Sequence, residues 1–555
     1  MSRGLVLALV AIVAAVTGGF VLDRAQTAAG PVPDLAPAGA TLLEGLGTYS
    51  MPVTHRGAEV QRWFDQGLAL TYGFNHGAAE RSFLKAAELD PGCAMCWWGA
   101  ALVLGPHLNA LMDPADNPKA WERLQRARAA AANATPRERA YIEALGARYA
   151  ARPPEDRRPL DTAYARAMGA LAAQFPDDLD AAALHAEAMM DLQPWDYWDA
   201  DGRPRGDTAR IVAVLEGVIA RDPRHAGALH YYVHAMEASP HPEKGVAAAD
   251  TLRQLLPGSG HLVHMPAHIY ARVGRWHDAV IANQEAIAAD DAYLAACRPG
   301  PGVYPLGYVP HNHHFLWFAA TMEGASGIAR EAARSTAART RDPRLMRTPG
   351  YEVMQHFALT PLFDDIRFGR WDAVGAAPLP ADDLPYMRAM WHYGQALAAA
   401  AQGRLDDARR SHEALRSATT DPRIEKLTAF DRYSLVGGVR IAERFVAARI
   451  ASATKDHDAA IQALGAAMAI EDALPYDEPP AWHWPSRQLL GATLLEAGRF
   501  ADAERVFRDE LGRNPENGWS LHGLAQALRA QSKRAEADAV AKRFEAAWVD
   551  ADIEP

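Results

Sequence analysis

Cysteine is scarce: Cys93, Cys96 and Cys297 are the only three in 555 residues, so no disulfide framework carries the fold. The segment "CAMCW" also lacks the histidine that c-type haem attachment needs after its second cysteine. Cys93 and Cys96 therefore read as two small buried helix residues, with a bridge or a metal pair as the alternatives in an oxidising compartment. Basic charge is short as well. Lys and Arg number 57 against 68 Asp and Glu, giving a formal net charge of −11 without long runs of either sign. No basic face exists for a phosphate backbone, which excludes nucleic acid as an expected partner. β-Branched runs are few. With 49% hydrophobic and 23% charged residues, rich in Ala, Leu, Arg and Glu, the composition predicts a globular, all-α protein.

One uncharged stretch stands apart, Gly4 to Leu22 within "MSRGLVLALVAIVAAVTGGFVLDRAQTAAG". Its length approaches a membrane span, and it predicts export to the periplasm or beyond. Residues 1–30 are read as a cleaved signal peptide or as an anchor in the inner membrane. "DRAQTAAG" offers a poor cleavage pattern, no cysteine follows for lipid attachment, and both alternatives stay open. Residues 31–50, within and after "PVPDLAPAGA", read as a Pro/Ala linker with no core of its own.

Past residue 51 the sequence repeats itself. In "EVQRWFDQGLALTYGFNHGAAERSFLKAAELDP", counting Val60 as position 1, Trp63 falls at 4, Gly67 at 8, Ala79 at 20, Phe83 at 24, Ala86 at 27 and Pro91 at 32. The spacing has a packing cause: small residues let two helices approach, Phe83 fills the space between them, and the proline ends the second helix. Gly498 and Ser532 occupy equivalent turns 34 residues apart, and "GRW" turns recur at Gly274 and Gly369. This pattern resembles the tetratricopeptide repeat. The resemblance implies a right-handed superhelical solenoid of helix-turn-helix units over residues 51–550, with a His-rich central part at about 181–320 and C-terminal repeats at about 484–550. It also implies units that pack on their neighbours alone and unfold stepwise. Two insertions, "LQPWDYWDADGRPRG" and "CRPGPGVYPLGYVPHNHH", flank the His-rich part and read as functional loops.

Twelve of the 21 histidines lie between His185 and His314, where even scattering would give about five. His230 and His234, like His264 and His268, are four apart and share a helix face, and the two pairs are offset by 34 residues. In the register set by the turns, His185, His230, His264 and His314 fall at position 5, His234 and His268 at position 9, His261 and His311 at position 2, and Glu237 at position 12. In the family it resembles, these positions line the concave groove. The expectation is one cavity built on His230, His234, His264 and His268, with His185, His261, His311, His314 and Glu237 at its rim. Histidines from adjacent helices are close enough to share an ion, so a transition metal, Zn, Cu or Fe, is the expected cofactor. "HYYVHAME" has tyrosine where the zinc-peptidase motif places glutamate, so no general-base role transfers. Glu237 is a candidate ligand, a candidate hydrogen-bond partner of the ligating histidines, or a catalytic base. Tyr270, Arg272, Trp195 and Trp198 are candidates for contacting a substrate or partner in the groove.

Two functions compete. One is a metal-binding protein, or a metal-dependent enzyme, using the groove as its pocket for a peptide, protein or small-molecule ligand. The other is a non-catalytic periplasmic scaffold binding a peptide or protein partner. The first accounts for the histidines; the second accounts for the repeats alone.

Overall fold

The computed structural model of the chain describes residues 39–429 and 432–555. The Gly4–Leu22 stretch, with the signal or anchor reading, lies outside the described residues. Among the described residues no helix is long and apolar enough to cross a membrane, and the only strands are the two-residue antiparallel pair Thr428–Ala429 and Tyr433–Ser434. Everything else of regular form is helix.

The helices pair in sequence order. Ala58–Tyr72 packs on His76–Leu89, Ala226–Glu237 on Val246–Leu255, Val309–Glu323 on Ser326–Thr340, and Ser486–Glu496 on Phe500–Arg513. The residues that make the repeat pattern explain why. Gly67 and Gly99 face the ring of Phe83, and a Cβ on either would sit 2.7 and 2.5 Å from it. Gly491 and Gly523 face Phe507 in the same way. At the turns the chain goes left-handed, at Gly498 (φ 70°) and at the equivalent Ser532 (φ 62°); glycine adopts this without Cβ cost. The architecture is a solenoid of tetratricopeptide-type helix pairs.

The two helices of a pair differ in burial. Second helices such as Thr208–Arg221 bury one stripe, Thr208, Ile211, Leu215 and Val218. First helices near the middle are buried all round: every residue of Ala226–Glu237 is, and every residue of Val309–Glu323 except His311. A helix buried on all sides belongs to a closed interior. The solenoid closes because both ends return to its centre. Leu43 N–H donates to Gln66 (2.8 Å), Gly258 N–H donates to the Gly45 carbonyl (2.8 Å), and Tyr49 O–H to Asp180 (2.7 Å). Residues 43–49 are thus laid on the repeats, and that part of the predicted linker is tied down. At the other end Trp276 Nε1 donates to the Pro515 carbonyl and Trp519 Nε1 to the Thr321 carbonyl, both at 2.8 Å, while Asp552 accepts from Ser326 N–H (2.7 Å) and Gly327 N–H (2.8 Å). Contacts reaching some 200 residues along the chain correct the expectation that each unit packs on its neighbours alone.

Cys93 and Cys96 are buried as read, and of the alternatives left open the structure has the bridge: they are bonded to each other at the start of helix Ala94–Leu102. Cys297 is free and buried.

Candidate metal centre

Three consecutive first helices bring six histidines into the closed interior. Ala226–Glu237 carries His230 and His234, and Val309–Glu323 carries His311. Between them lies a helix interrupted at Met265, Gly260–His264 then Pro266–Arg272. Pro266 lacks the N–H to continue the hydrogen-bond ladder and so breaks it there. His261, His264 and His268 remain on one side of this broken helix, and His261 is turned towards one neighbour while His264 and His268 face the other.

The six form two clusters. His230, His234 and His261 offer ring nitrogens all within 4.8 Å of one another, as do His264, His268 and His311. The clusters adjoin: the rings of His261 and His264 are 6.0 Å apart and those of His234 and His268 are 6.1 Å apart. His230, His234, His261, His264 and His268 are at most 2% exposed.

What holds the rings decides their chemistry. His230 Nδ1 donates to the Tyr72 carbonyl at 2.6 Å. His234 Nδ1 donates to one oxygen of Glu237 at 2.8 Å, and His268 Nδ1 to the other at 2.6 Å. His264 Nδ1 meets Asn283 Oδ1 at 2.7 Å, and the Asn283 amide is oriented by its own Nδ2, which donates to the Ala279 carbonyl (2.7 Å). Four protons are thereby fixed on Nδ1, which leaves four bare Nε2 lone pairs. The Nε2 atoms of His230 and His234 and both ring nitrogens of His261 have no hydrogen-bond partner among the described residues despite full burial. In the second cluster His264 Nε2 lies 2.8 Å from His268 Nε2 and 3.0 Å from His311 Nε2. With their Nδ1 protons engaged, His264 Nε2 and His268 Nε2 face each other as lone pairs and repel unless a proton or a cation stands between them. A shared proton would relieve that pair; a metal ion would relieve it and take His311 Nε2 as a third donor.

Electrostatics agree with neutral ligands. Burial, reinforced by the neighbouring imidazoles, holds His230, His261 and His264 well below the ordinary histidine range and His311 at about 3. Burial also lowers His234, partly offset by Glu237. His268 is the exception: burial opposes its charge, yet Glu237 raises it above 6.5. Glu237 itself, though burial pushes it up, is drawn to about 2 by His268 and His234. It stands as a carboxylate spent on two Nδ1–H groups, the arrangement that orients metal-binding imidazoles.

The remaining sequence candidates sit elsewhere. His185 occupies the same repeat position as His230 but contacts the Ala165 carbonyl (3.1 Å) and Arg210 (3.3 Å). His314 lies against Trp317, His356 and Phe357. Tyr270 O–H donates to Asp250 (2.7 Å) beneath Arg275, away from the clusters. Arg272 Nε donates to the Glu237 carbonyl at 2.8 Å and stacks on Tyr476. Trp198 Nε1 is tied to the Ala235 carbonyl (2.7 Å), while Trp195 packs edge-on to His234 (5.2 Å) and under Arg432. Tyr72, Asn283, Phe74 and Tyr308, the last two packed on His230 and His261, belong to the site without having been read from the sequence. The turn at Phe74 and the aromatic insertion holding Tyr308 were visible; their partners, 150 residues and more away for Phe74 and 47 for Tyr308, were not.

No family model matches the chain and no curated protein matches it. Solved structures do. The Cut9–Hcn1 hetero-tetramer of the APC/C is 15% identical over 86% of this chain and 78% of that one, with a TM-score of 0.31. The human IFIT1 dimer with m7Gppp-AAAA is 13% identical over 85% and 94%, TM-score 0.33. The P58(IPK) TPR domain is 11% identical over 86% and 99%, TM-score 0.21. At these scores the likeness adds nothing to the tetratricopeptide-type architecture seen in the chain's own helix pairs.

Proposed function

We propose that the closed interior is a two-ion metal centre, one ion held by His230, His234 and His261 and the other by His264, His268 and His311. The observation that carries the reading is the set of buried Nε2 atoms left bare because their Nδ1 protons are engaged by Tyr72, Glu237 and Asn283. Three neutral imidazoles per ion suit Zn, Cu, Fe or Ni, and three protein ligands leave a position for an exogenous group, as catalytic sites do. Bound there, such an ion would act as a Lewis acid or a redox centre. Glu237 positions ligands to both ions, and Trp195 and Tyr308 keep bulk water from the first.

Export is part of the proposal, supported by the Gly4–Leu22 stretch and by a Cys93–Cys96 bridge that oxidising compartments preserve. Fractionation that leaves the full-length chain in the cytosol ends that part. A second reading, a scaffold for a peptide or protein partner, is supported by the repeat architecture. It would place the partner on outer faces, since the first-helix residues that line an open groove are buried here.

Elemental analysis of the purified protein tests the centre directly. Two ions per chain are expected, and His230→Ala with His264→Ala should remove both while circular dichroism keeps its helical signature. Protein that binds no stoichiometric metal after incubation with Zn²⁺, Cu²⁺ or Fe²⁺ would leave the scaffold reading standing.

A further inference from the structure

The two clusters differ in what reaches them. Around His230, His234 and His261 the walls are aromatic: Phe74 lies 4.5 Å from His230, Trp195 5.2 Å from His234 and Tyr308 4.5 Å from His261, ring to ring. A large cavity of ≈ 310 Å³ lies beyond Phe74, but none of the six cluster histidines lines it. The second cluster has an opening. His311 is the one residue of its helix that is not fully buried, and it lines a narrow cavity of ≈ 30 Å³ that leads out past Tyr386, Tyr433, Ser434, Glu478 and Ala481. About 10–15 Å³ accommodates one water, so this space takes a molecule of two or three heavy atoms and nothing much larger. Several of its polar groups are engaged by neighbours, and His314, which also lines it, has no hydrogen-bond partner for either ring nitrogen among the described residues. Tyr433 O–H donates to Asp477 (2.5 Å), which also pairs with Arg432 (3.3 Å), Tyr476 O–H donates to Glu478 (2.5 Å), and the Tyr386 hydroxyl meets His356 Nδ1 (2.8 Å). Among the described residues no cationic side chain lines the cavity to fix a large anion, so the ion and the His314 ring are its directing groups.

Resting on the two-ion reading, the geometry points to unequal ions: the one held by His264, His268 and His311 takes a small monodentate donor molecule through the cleft, and the one held by His230, His234 and His261 is sealed. The ligand class is a molecule of two or three heavy atoms presenting a lone pair, such as a peroxide, dioxygen, or a pseudohalide used as its stand-in. Extended substrates are excluded from direct coordination by the width of the cleft.

The full-length protein loaded with Co²⁺ and titrated with azide tests this, because azide binding to cobalt changes its visible spectrum. Saturation at one azide per two cobalt ions is expected. Ala481→Phe and, separately, Ser434→Trp narrow the cleft at partly exposed positions that touch no proposed ligand; each should keep two cobalt ions and weaken azide at least tenfold. Azide saturating at two per chain, no spectral change with two ions present, or unaltered affinity in both narrowed variants would overturn the inequivalence while leaving the two-ion centre intact. Failure to bind cobalt at all would sink the centre and this inference together, so the two failures are told apart by the metal count.

Discussion

At the scale of single residues, the anchors are more informative than the ligands. Glu237 holds one histidine of each cluster, whereas Asn283 holds His264 alone. Outer partners of metal-bound histidines typically contribute 10–100-fold in affinity. Glu237→Gln should therefore weaken both ions by about that factor, since an amide offers one acceptor where two Nδ1–H groups need one each. Asn283→Ala should weaken only the ion of the second cluster. Competition titrations against a chromophoric chelator separate the two, and equal losses in both variants would contradict the assignment of partners. Histidines outside the clusters set a different expectation. Burial lowers His76 and His356 from 6.5 to about 4. Their folded-state affinity for protons is thus below the unfolded one, so the folded state binds fewer protons and stability falls as pH drops below about 6.5, levelling near 4. Each contributes a slope of at most about 1.4 kcal/mol per pH unit in that window. Buried carboxyls held up at about 7, Asp290 and Glu478 among them, act in the opposite direction, so the check is a difference. In metal-free protein the melting temperature of a His76→Gln, His356→Gln variant should fall less between pH 7 and pH 4.5 than the parent's, and parallel profiles would show these rings to be protonated or exposed in solution.

At the scale of elements, the 34-residue spacing made the helix pairs, their turns and the facing of His230 with His234 and of His264 with His268 readable from the chain alone. What spacing could not supply was the superhelical rotation between units. His185 and His314 share a repeat position with His230 and His264, yet lie elsewhere because successive first helices are rotated about the solenoid axis. His261 and His311, assigned to the rim by their position 2, are ligand candidates because their rings lie beside those of His230 and His264, at 4.9 and 4.7 Å between ring centres. The contact between the C-terminal repeats and the centre was equally invisible, since it joins Trp519 to Thr321 and sandwiches Arg367 between Trp484 and Trp519 at 5.1 and 4.1 Å. Trp519→Ala removes one hydrogen bond and one cation–π partner at this seam, a cost of about 3 kcal/mol. Hydrogen exchange should then quicken first in residues 486–547 and 309–323. Quickening confined to residues 58–102 would mean that the seam does not close the molecule.

At the scale of the whole molecule, closure replaces independent repeats by one cooperative body. Calorimetry should give a single transition whose van't Hoff and calorimetric enthalpies agree, where an open solenoid would melt in steps. A metal bound only by the folded state would add to this by mass action, about 2.7 kcal/mol per ion at a free concentration one hundred times the dissociation constant. The melting temperature should thus rise with added metal in the parent and stay constant in the His230→Ala, His264→Ala double variant; a metal-dependent shift in both would place the binding elsewhere. The seam at Trp276, Thr321 and Asp552 also governs time. On the two-ion reading, an ion behind Phe74, Trp195 and Tyr308 would have no exit while both ends of the chain are docked and would leave only when the seam opens, whereas its neighbour would leave by the cleft. Excess chelator should strip the protein in two phases, the slow one matching the rate of local opening at residues 513–519 and accelerating in Trp519→Ala. On the two-ion reading the order of capture would follow the same rule: the cleft ion would load first, and its neighbour only as fast as the fold opens.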